Sequence, residues 1–184
     1  MIHTLSKKNT KRGFTLIEIM VSLSVFIIIM TVSLGSILSV LDTNTKSQTK
    51  KTAMDNLNFA LESMSRTVRF GTNYYCGSTT TNPPPALDCG GGGNSLSIRS
   101  AEGSLIVYSL LGGRIMKTVN GASSPVTSAE TTITRLTFYV FNSSPSDAFQ
   151  PRVVMVVSGT VGSQISTQST FNLQVMTSQR KIDI

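Results

Sequence analysis

The sequence predicts an α+β fold, in which one long N-terminal helix packs on a mainly antiparallel β-sheet head. Residues 19–41 carry no charge, and about 20 apolar residues of helix are enough to cross the hydrocarbon core of a membrane. A second observation is an apolar stripe with helical spacing between residues 54 and 68. A third is a series of short segments beyond residue 94 with alternating or continuous apolar residues. Together they predict a helix whose second half covers one face of a sheet.

The second half of the predicted helix has one apolar face, because its apolar residues recur at steps of three and four. These residues are Met54, Leu57, Leu61, Met64 and Val68. Gly71 follows Phe70 and is suited to end the helix as a C-terminal cap. We therefore predict one helix from about Phe14 to Phe70. The stripe is expected to pack on the head domain. A coiled-coil seam is the less favoured alternative, because the stripe extends little beyond two heptads.

Residues 72–94 are predicted to form a loop, since Pro83-Pro84-Pro85 and the glycines at 90–93 disfavour regular structure. No Gly-Lys-Ser/Thr follows the glycines, so they are interpreted as a flexible exit into a strand and not as a phosphate loop. Strand signals then occur at residues 95–99, 105–110, 114–119, 133–141, 153–157 and 171–176. Gly112-Gly113 and Asn120-Gly121 are predicted turns. We expect about five or six strands in a mainly antiparallel sheet.

Several kinds of catalytic site are excluded by the composition. The single histidine is His3, inside the basic N-terminal segment. Without residues 1–13 the chain has no histidine for Ser-His-Asp or Cys-His catalysis, or for a His-ligated metal. Asp88, Glu102, Glu130 and Asp147 are scattered acids, and no pair of them has the spacing of metal ligands. We predict no enzyme activity, no cofactor and no metal.

The net charge of +7 overstates how basic the rest of the chain is. Removal of residues 1–13 leaves 12 basic and 9 acidic residues, a net charge of +3. This small charge does not favour a nucleic-acid-binding surface, although it leaves one open as an alternative. Tyr74-Tyr75 could stack on a base or sugar, but packing at the junction of helix and loop is the favoured interpretation.

The only two cysteines, Cys76 and Cys89, lie in the predicted loop. A disulfide between them is expected if the domain lies outside the cytoplasm. The alternative is a pair of free thiols.

The basic N-terminus followed at once by an apolar run is the layout of a targeting segment. A secretory signal peptide is one interpretation, but the run is too long and no Ala-x-Ala follows it. An ordinary membrane anchor is a second interpretation, and it would rarely place an acid at Glu18. The third is cleavage between Gly13 and Phe14, which would make the apolar run the new N-terminus.

The segment Lys11-Arg12-Gly13-Phe14-Thr15-Leu16-Ile17-Glu18, with the apolar run after it, resembles the type IV pilin superfamily. This superfamily includes the pseudopilins of type II secretion and of competence. The resemblance covers roughly residues 7–70. It implies that a membrane peptidase cleaves after Gly13 and methylates the new amine on Phe14. It also implies four regions: a leader removed at 1–13, a membrane and assembly half-helix at 14–41, an amphipathic half-helix at 42–71, and a head domain at 72–184.

By the same resemblance, Glu18 is the assembly residue. Its carboxylate and the Phe14 amine of a neighbouring subunit would both be costly to bury alone among apolar helices, and pairing them would neutralise both charges. The alternative is that Glu18 only stabilises the helix N-terminus through the helix dipole.

The resemblance implies a structural filament subunit, a minor pilin or minor pseudopilin, in a type IV pilus or type II secretion-like filament. Its implied partners are prepilin peptidase, other pilin or pseudopilin subunits and an inner-membrane assembly platform. The basic residues before the apolar run predict a single-pass inner-membrane protein with its N-terminus inside and its head outside. Lys46, Lys50 and Lys51, just past the run, weigh against this orientation. The alternatives are a competence-type pilin that binds DNA for uptake and a membrane-anchored enzyme.

Overall fold

The computed structural model describes residues 13–144, 149–162 and 168–180. The chain forms two compact units, Met1–Thr45 and Lys46–Ile184. Helix α1 spans Leu16–Phe70 and contributes to both units. The helix begins two residues later than predicted and ends at the predicted residue.

In the described residues, nine strands follow the helix and form two antiparallel sheets, so the predicted α+β class is confirmed. In chain order they are β1 (Thr72–Tyr75), β2 (Cys89–Gly93), β3 (Ser95–Arg99), β4 (Leu105–Leu111), β5 (Arg114–Val119), β6 (Ala122–Pro125), β7 (Thr131–Phe141), β8 (Arg152–Val161) and β9 (Ser169–Ser178). The first sheet has the order β1-β3-β4-β5-β6 and the second has the order β2-β7-β8-β9. The prediction of five or six strands was therefore too low, and the strands divide between two sheets.

The prediction of a loop without regular structure at 72–94 was wrong at both of its ends. β1 pairs with β3 at the start of this segment, and β2 pairs with β7 at its end. β2 consists of Cys89 and four glycines, and its register with β7 shifts between Cys89 and Gly93. Gly92 has a φ of +80°, and a Cβ there would lie 2.9 Å from a ring carbon of Tyr139. The glycines therefore allow an irregular edge strand to lie close to an aromatic ring.

The two predicted turns are confirmed. Gly112 and Gly113 have φ values of 58° and 73° and connect β4 to β5. Asn120 and Gly121 have φ values of 49° and 92° and connect β5 to β6. Two consecutive residues with positive φ are the requirement of a tight two-residue hairpin, which glycine and asparagine meet at low cost.

The apolar stripe of α1 lies in the core of the head, as predicted. Four of its predicted residues, Leu57, Leu61, Met64 and Val68, are buried, and Met54 packs against the same core. The core joins the stripe to side chains of both sheets, including Leu96, Ile98 and Tyr108 in the first and Phe138, Val140 and Met155 in the second. Burying each apolar side chain of this size stabilises the folded state by about 1.5–3 kcal/mol. The stripe is thus core and not a coiled-coil seam.

Gly71 ends the helix for a different reason from the one predicted. Its φ is not in the left-handed region that a C-cap glycine adopts. A Cβ at Gly71 would lie 2.5 Å from Cγ2 of Ile98, so glycine lets the helix end approach β3 closely. The Tyr74 hydroxyl lies 2.7 Å from the Gly71 carbonyl oxygen and 2.8 Å from that of Val68. Tyr74 is therefore a packed residue of the junction between helix and head, as favoured.

Cys76 and Cys89 form a disulfide, as expected. Cys76 directly follows β1 of the first sheet, and Cys89 begins β2 of the second. The bond therefore joins the ends of two short edge strands that belong to different sheets.

Replacing both Cys76 and Cys89 by alanine is expected to lower the free energy of unfolding by about 3 kcal/mol. Opening a loop of this size adds conformational entropy to the unfolded chain. Chemical denaturation of the full chain in detergent measures the change. Dithiothreitol should lower the midpoint of the wild-type protein by a similar amount and leave the double variant unaffected. Equal midpoints for the variant and the oxidised wild-type protein would contradict the prediction.

Tyr108 places a phenol in the core between the helix and the first sheet. Its ring is fully buried, and among the described residues its hydroxyl has no hydrogen-bond partner. Burial raises the pKa of Tyr108, and the nearby Thr67 side chain offsets part of this rise. The core thus favours the protonated phenol.

High pH is expected to destabilise the head through Tyr108. The folded-state pKa of Tyr108 lies above the ordinary value of 10.0. The contribution of the protonated phenol to the free energy of unfolding is therefore complete below that pH and is lost as pH rises through the folded-state pKa. Denaturation midpoints of the full chain from about pH 8 to 11 measure the loss. Tyr108→Phe should remove most of this decline, and an equally steep decline in that variant would contradict the prediction. Because the substitution deletes a buried hydroxyl without a partner, it should also raise stability at neutral pH by about 1 kcal/mol.

Candidate assembly segment

The start of α1 is capped by Thr15. Its hydroxyl oxygen accepts a hydrogen bond of 3.3 Å from the backbone N–H of Glu18, and its carbonyl oxygen accepts one of 3.3 Å from Ile19. Thr15 is therefore the N-cap residue, and Glu18 is the third residue of the helix. Sequence reasoning missed this role of Thr15, although Thr-x-x-Glu before an apolar run is the signature of a capping box.

Glu18 lies in the first turn of α1, and its side chain is exposed. The positive end of the helix dipole favours a carboxylate at this position. The hydrogen bond that caps the helix, however, is accepted by the Thr15 hydroxyl and not by Glu18. The carboxylate therefore remains available on the surface of the segment. Gly13 and Phe14, which precede it, are also exposed and lie outside the helix.

The segment from Phe14 to Leu41 exposes every large apolar side chain that it contains, with exposed fractions between 47% and 79%. Glu18 is the one charged residue in this segment. Its most apolar stretch of 18 residues has a mean hydropathy of 2.4 with no part buried, and α1 is the one helix of the described residues long and apolar enough to cross a membrane. Such a surface requires a cover of lipid or of other protein chains.

Comparison with known proteins identifies this segment. Residues 8–34 match the family model for the prokaryotic N-terminal methylation motif. With the long apolar helix that follows it, this N-terminus resembles that of a type IV pilin-like prepilin. A motif of this type implies processing by prepilin peptidase and assembly with other pilins in a membrane. The matched range contains Gly13, Phe14 and Glu18 and the first part of the apolar run. No curated protein and no solved structure gives a significant match.

Two hydroxyl groups in the apolar part of α1 bond to the backbone of their own helix. Ser24 donates to the carbonyl oxygen of Met20 at 2.8 Å, and Thr31 donates to that of Ile27 at the same distance. Thr43 and Thr45 make the same type of bond just beyond the segment, each at 2.9 Å. Polar groups satisfied within the helix in this way do not need water.

Within the described residues, the acids considered as metal ligands do not form a cluster. Asp88 accepts a hydrogen bond of 2.6 Å from the backbone N–H of Ser143. The pKa of Glu102 is lowered by hydrogen bonds to its carboxylate from its own backbone and from the Ser100 hydroxyl. Glu130 is exposed in the turn before β7, whereas Asp147 lies outside the described residues. Over the ranges that the structure describes, no group of three or more potential ligand side chains could hold a metal ion.

Proposed function

We propose that this prepilin is a structural subunit of a type IV pilus or a type II secretion-like filament, of the minor pilin or minor pseudopilin class. The observation that carries the proposal is the exposed apolar segment at 14–41, whose single carboxylate and first part lie within the methylation motif matched at residues 8–34. Such a segment is suited to move from lipid into the interior of a filament. The proposed role is mechanical and not enzymatic.

Processing by prepilin peptidase would occur between Gly13 and Phe14 and would remove the leader. Both residues precede the capped start of α1 and have no helical structure. The bond to be cleaved therefore lies in a segment that a peptidase can bind without first unwinding the helix. The new amine on Phe14 would then be methylated.

Assembly would pair Glu18 of one subunit with the Phe14 amine of a neighbour. Within one chain, these two positions are about one helical turn apart, so each subunit presents both charges at the same end of the helix. Once neighbouring apolar helices exclude water, each unpaired charge would be costly. Pairing between subunits would remove both costs and would fix their relative axial position.

The remaining regions would follow the order of the chain. Residues 42–71 would extend the helix from the membrane to the head, and residues 72–184 would form the head outside the inner membrane. The disulfide supports a location outside the reducing cytoplasm. The other partners would be neighbouring pilin or pseudopilin subunits and an inner-membrane assembly platform.

The mass of the mature protein tests the processing step. We expect the protein purified from its native host to lack Met1–Gly13 and to carry one methyl group on the amine of Phe14. Intact-mass spectrometry and sequencing of the N-terminal peptide measure both changes. Deleting prepilin peptidase in the host is the control and should leave the leader in place. A protein from wild-type cells that still begins at Met1 would refute the proposal.

Glu18→Ala is expected to be cleaved normally and to enter filaments at least about 100-fold less often. The reason is that losing one partner of a buried charge pair costs about 3–5 kcal/mol. Immunoblotting of sheared filaments against total membrane protein measures incorporation. Asp55→Ala, which removes an exposed acid farther along the same helix and outside the groove discussed below, is the matched control and should assemble normally. Normal incorporation of Glu18→Ala would contradict the assigned role of Glu18.

A further inference from the structure

Strand β9 is an open edge of the second sheet. Among the described strands it pairs with β8 alone, so one side of its backbone has no strand partner. It is ten residues long and contains neither charge nor proline. Natural edge strands are normally protected by charges, proline, bulges or short length. β9 has none of these protections, and its pairing with β8 is regular along its whole length. This combination is suited to accept another strand.

A groove of about 250 Å³ lies beside this edge, between α1 and β9. Leu61, Glu62 and Ser65 contribute to it from the helix, and Leu173 and Val175 contribute from the strand. Leu173 and Val175 are only half-buried, although they point to the core side of the sheet. The groove therefore offers apolar surface along the inner side of the open edge.

Unsatisfied polar groups occur in the same part of the head. Ser65 is 8% exposed, and its hydroxyl has no hydrogen-bond partner among the described residues. The same holds for the hydroxyl of Thr177 on β9 and for the side-chain amide of Gln179 just after it, which are 3% and 2% exposed. Leaving such a group unpaired costs about 1–3 kcal/mol.

We propose that β9 and this groove bind an extended strand of a different protein. Its backbone would extend the second sheet at β9, and its apolar side chains at alternate positions would contact Leu173, Val175 and Leu61. The charge that lines the groove is Glu62, so the incoming strand should carry a basic residue near that side chain. The partner that supplies this strand would be another filament subunit, and this identity rests on the proposed function. The strand pairing itself does not rest on it.

The other described edge strands of this chain do not fit the groove. β2 has no side chain beyond Cys89, and β6 is Ala-Ser-Ser-Pro and ends in proline. β1 has four residues, and Tyr74 in it is already buried in its own head. None of them offers alternating apolar residues over the length of β9, so a second copy would not supply the occupant from these edges.

Pairing of β9 with β9 of a second copy is also disfavoured. A symmetric antiparallel pair would have its twofold axis perpendicular to the joined sheet. The stripe of α1 after residue 45 packs against the sheets, so this axis would reverse the helix of one copy relative to the other. Two subunits anchored in the same membrane must have helices that run in the same direction. A non-identical strand avoids this conflict.

The test uses the full chain in detergent micelles and a synthetic peptide that alternates valine and threonine with a lysine at each end. Hydrogen exchange monitored by mass spectrometry should show that this peptide slows exchange in β9 by about tenfold or more. A control peptide with N-methylated valines cannot donate those backbone hydrogen bonds and should bind at least about tenfold more weakly. Glu62→Lys should weaken binding of the first peptide by a similar factor. Glu130→Lys, the same charge change in a distant exposed turn, should leave binding unchanged.

Three results would overturn the inference. The first is exchange in β9 of the free protein that is already as slow as in β8, because the edge would then be covered. The second is equal binding of the N-methylated peptide, which would indicate apolar adsorption without strand pairing. The third is no effect of the peptide on β9, or equal binding by Glu62→Lys and Glu130→Lys. These outcomes are separate from the mass of the mature protein and from the incorporation of Glu18→Ala, so either proposal can fail alone.

Discussion

Nineteen large apolar side chains between Phe14 and Leu41 are exposed on α1, and the need to remove them from water governs the rest of the structure. At about 25 cal/mol per Å² of apolar surface, the free energy available from covering this segment is large. Lipid and other apolar helices can both provide the cover. The single carboxylate at Glu18 distinguishes the two, because it becomes costly wherever water is excluded without a cation beside it. Glu18, which is tolerated at the membrane edge, would thus favour the arrangement of neighbouring chains that places a cation beside its carboxylate.

The apolar face of the second half of α1 is buried within the same chain. Only one of its faces is apolar, and the two sheets of the head share that face. Two contacts fix the junction where the helix ends. Gly71 permits close contact with Ile98, and the Tyr74 hydroxyl lies within hydrogen-bond distance of the carbonyl oxygens of Val68 and Gly71. The disulfide then links the edge strands β1 and β2 of the two sheets. A change in sequence pattern along one helix thus separates an exposed apolar surface from a folded core.

The helix, the long strands and both Gly-containing turns were predictable, because each has a periodicity or a turn signal of its own. β1, β2 and β6 were not, because the Thr-Asn-Tyr-Tyr, Gly-rich and Ala-Ser-Ser-Pro segments have no apolar alternation and form strands only through their neighbours. Alternation also shows which residues share a face but not which sheet a strand joins, so the division into two sheets was missed. At the candidate site, the motif from Gly13 to Glu18 was recognisable, and the cap at Thr15 could have been. The partner of Glu18 could not be derived, since the proposed partner belongs to another molecule.

The hydroxyl groups of Ser24 and Thr31 have one further consequence. Because each donates to a carbonyl oxygen four residues earlier in its own helix, it keeps its bond whether the surroundings are acyl chains or protein. Exchange of the segment between these two media would break no bond at either position. Extraction from the bilayer and return to it would then differ in free energy mainly through side-chain packing and the one ionised group, which are conditions for a reversible cycle.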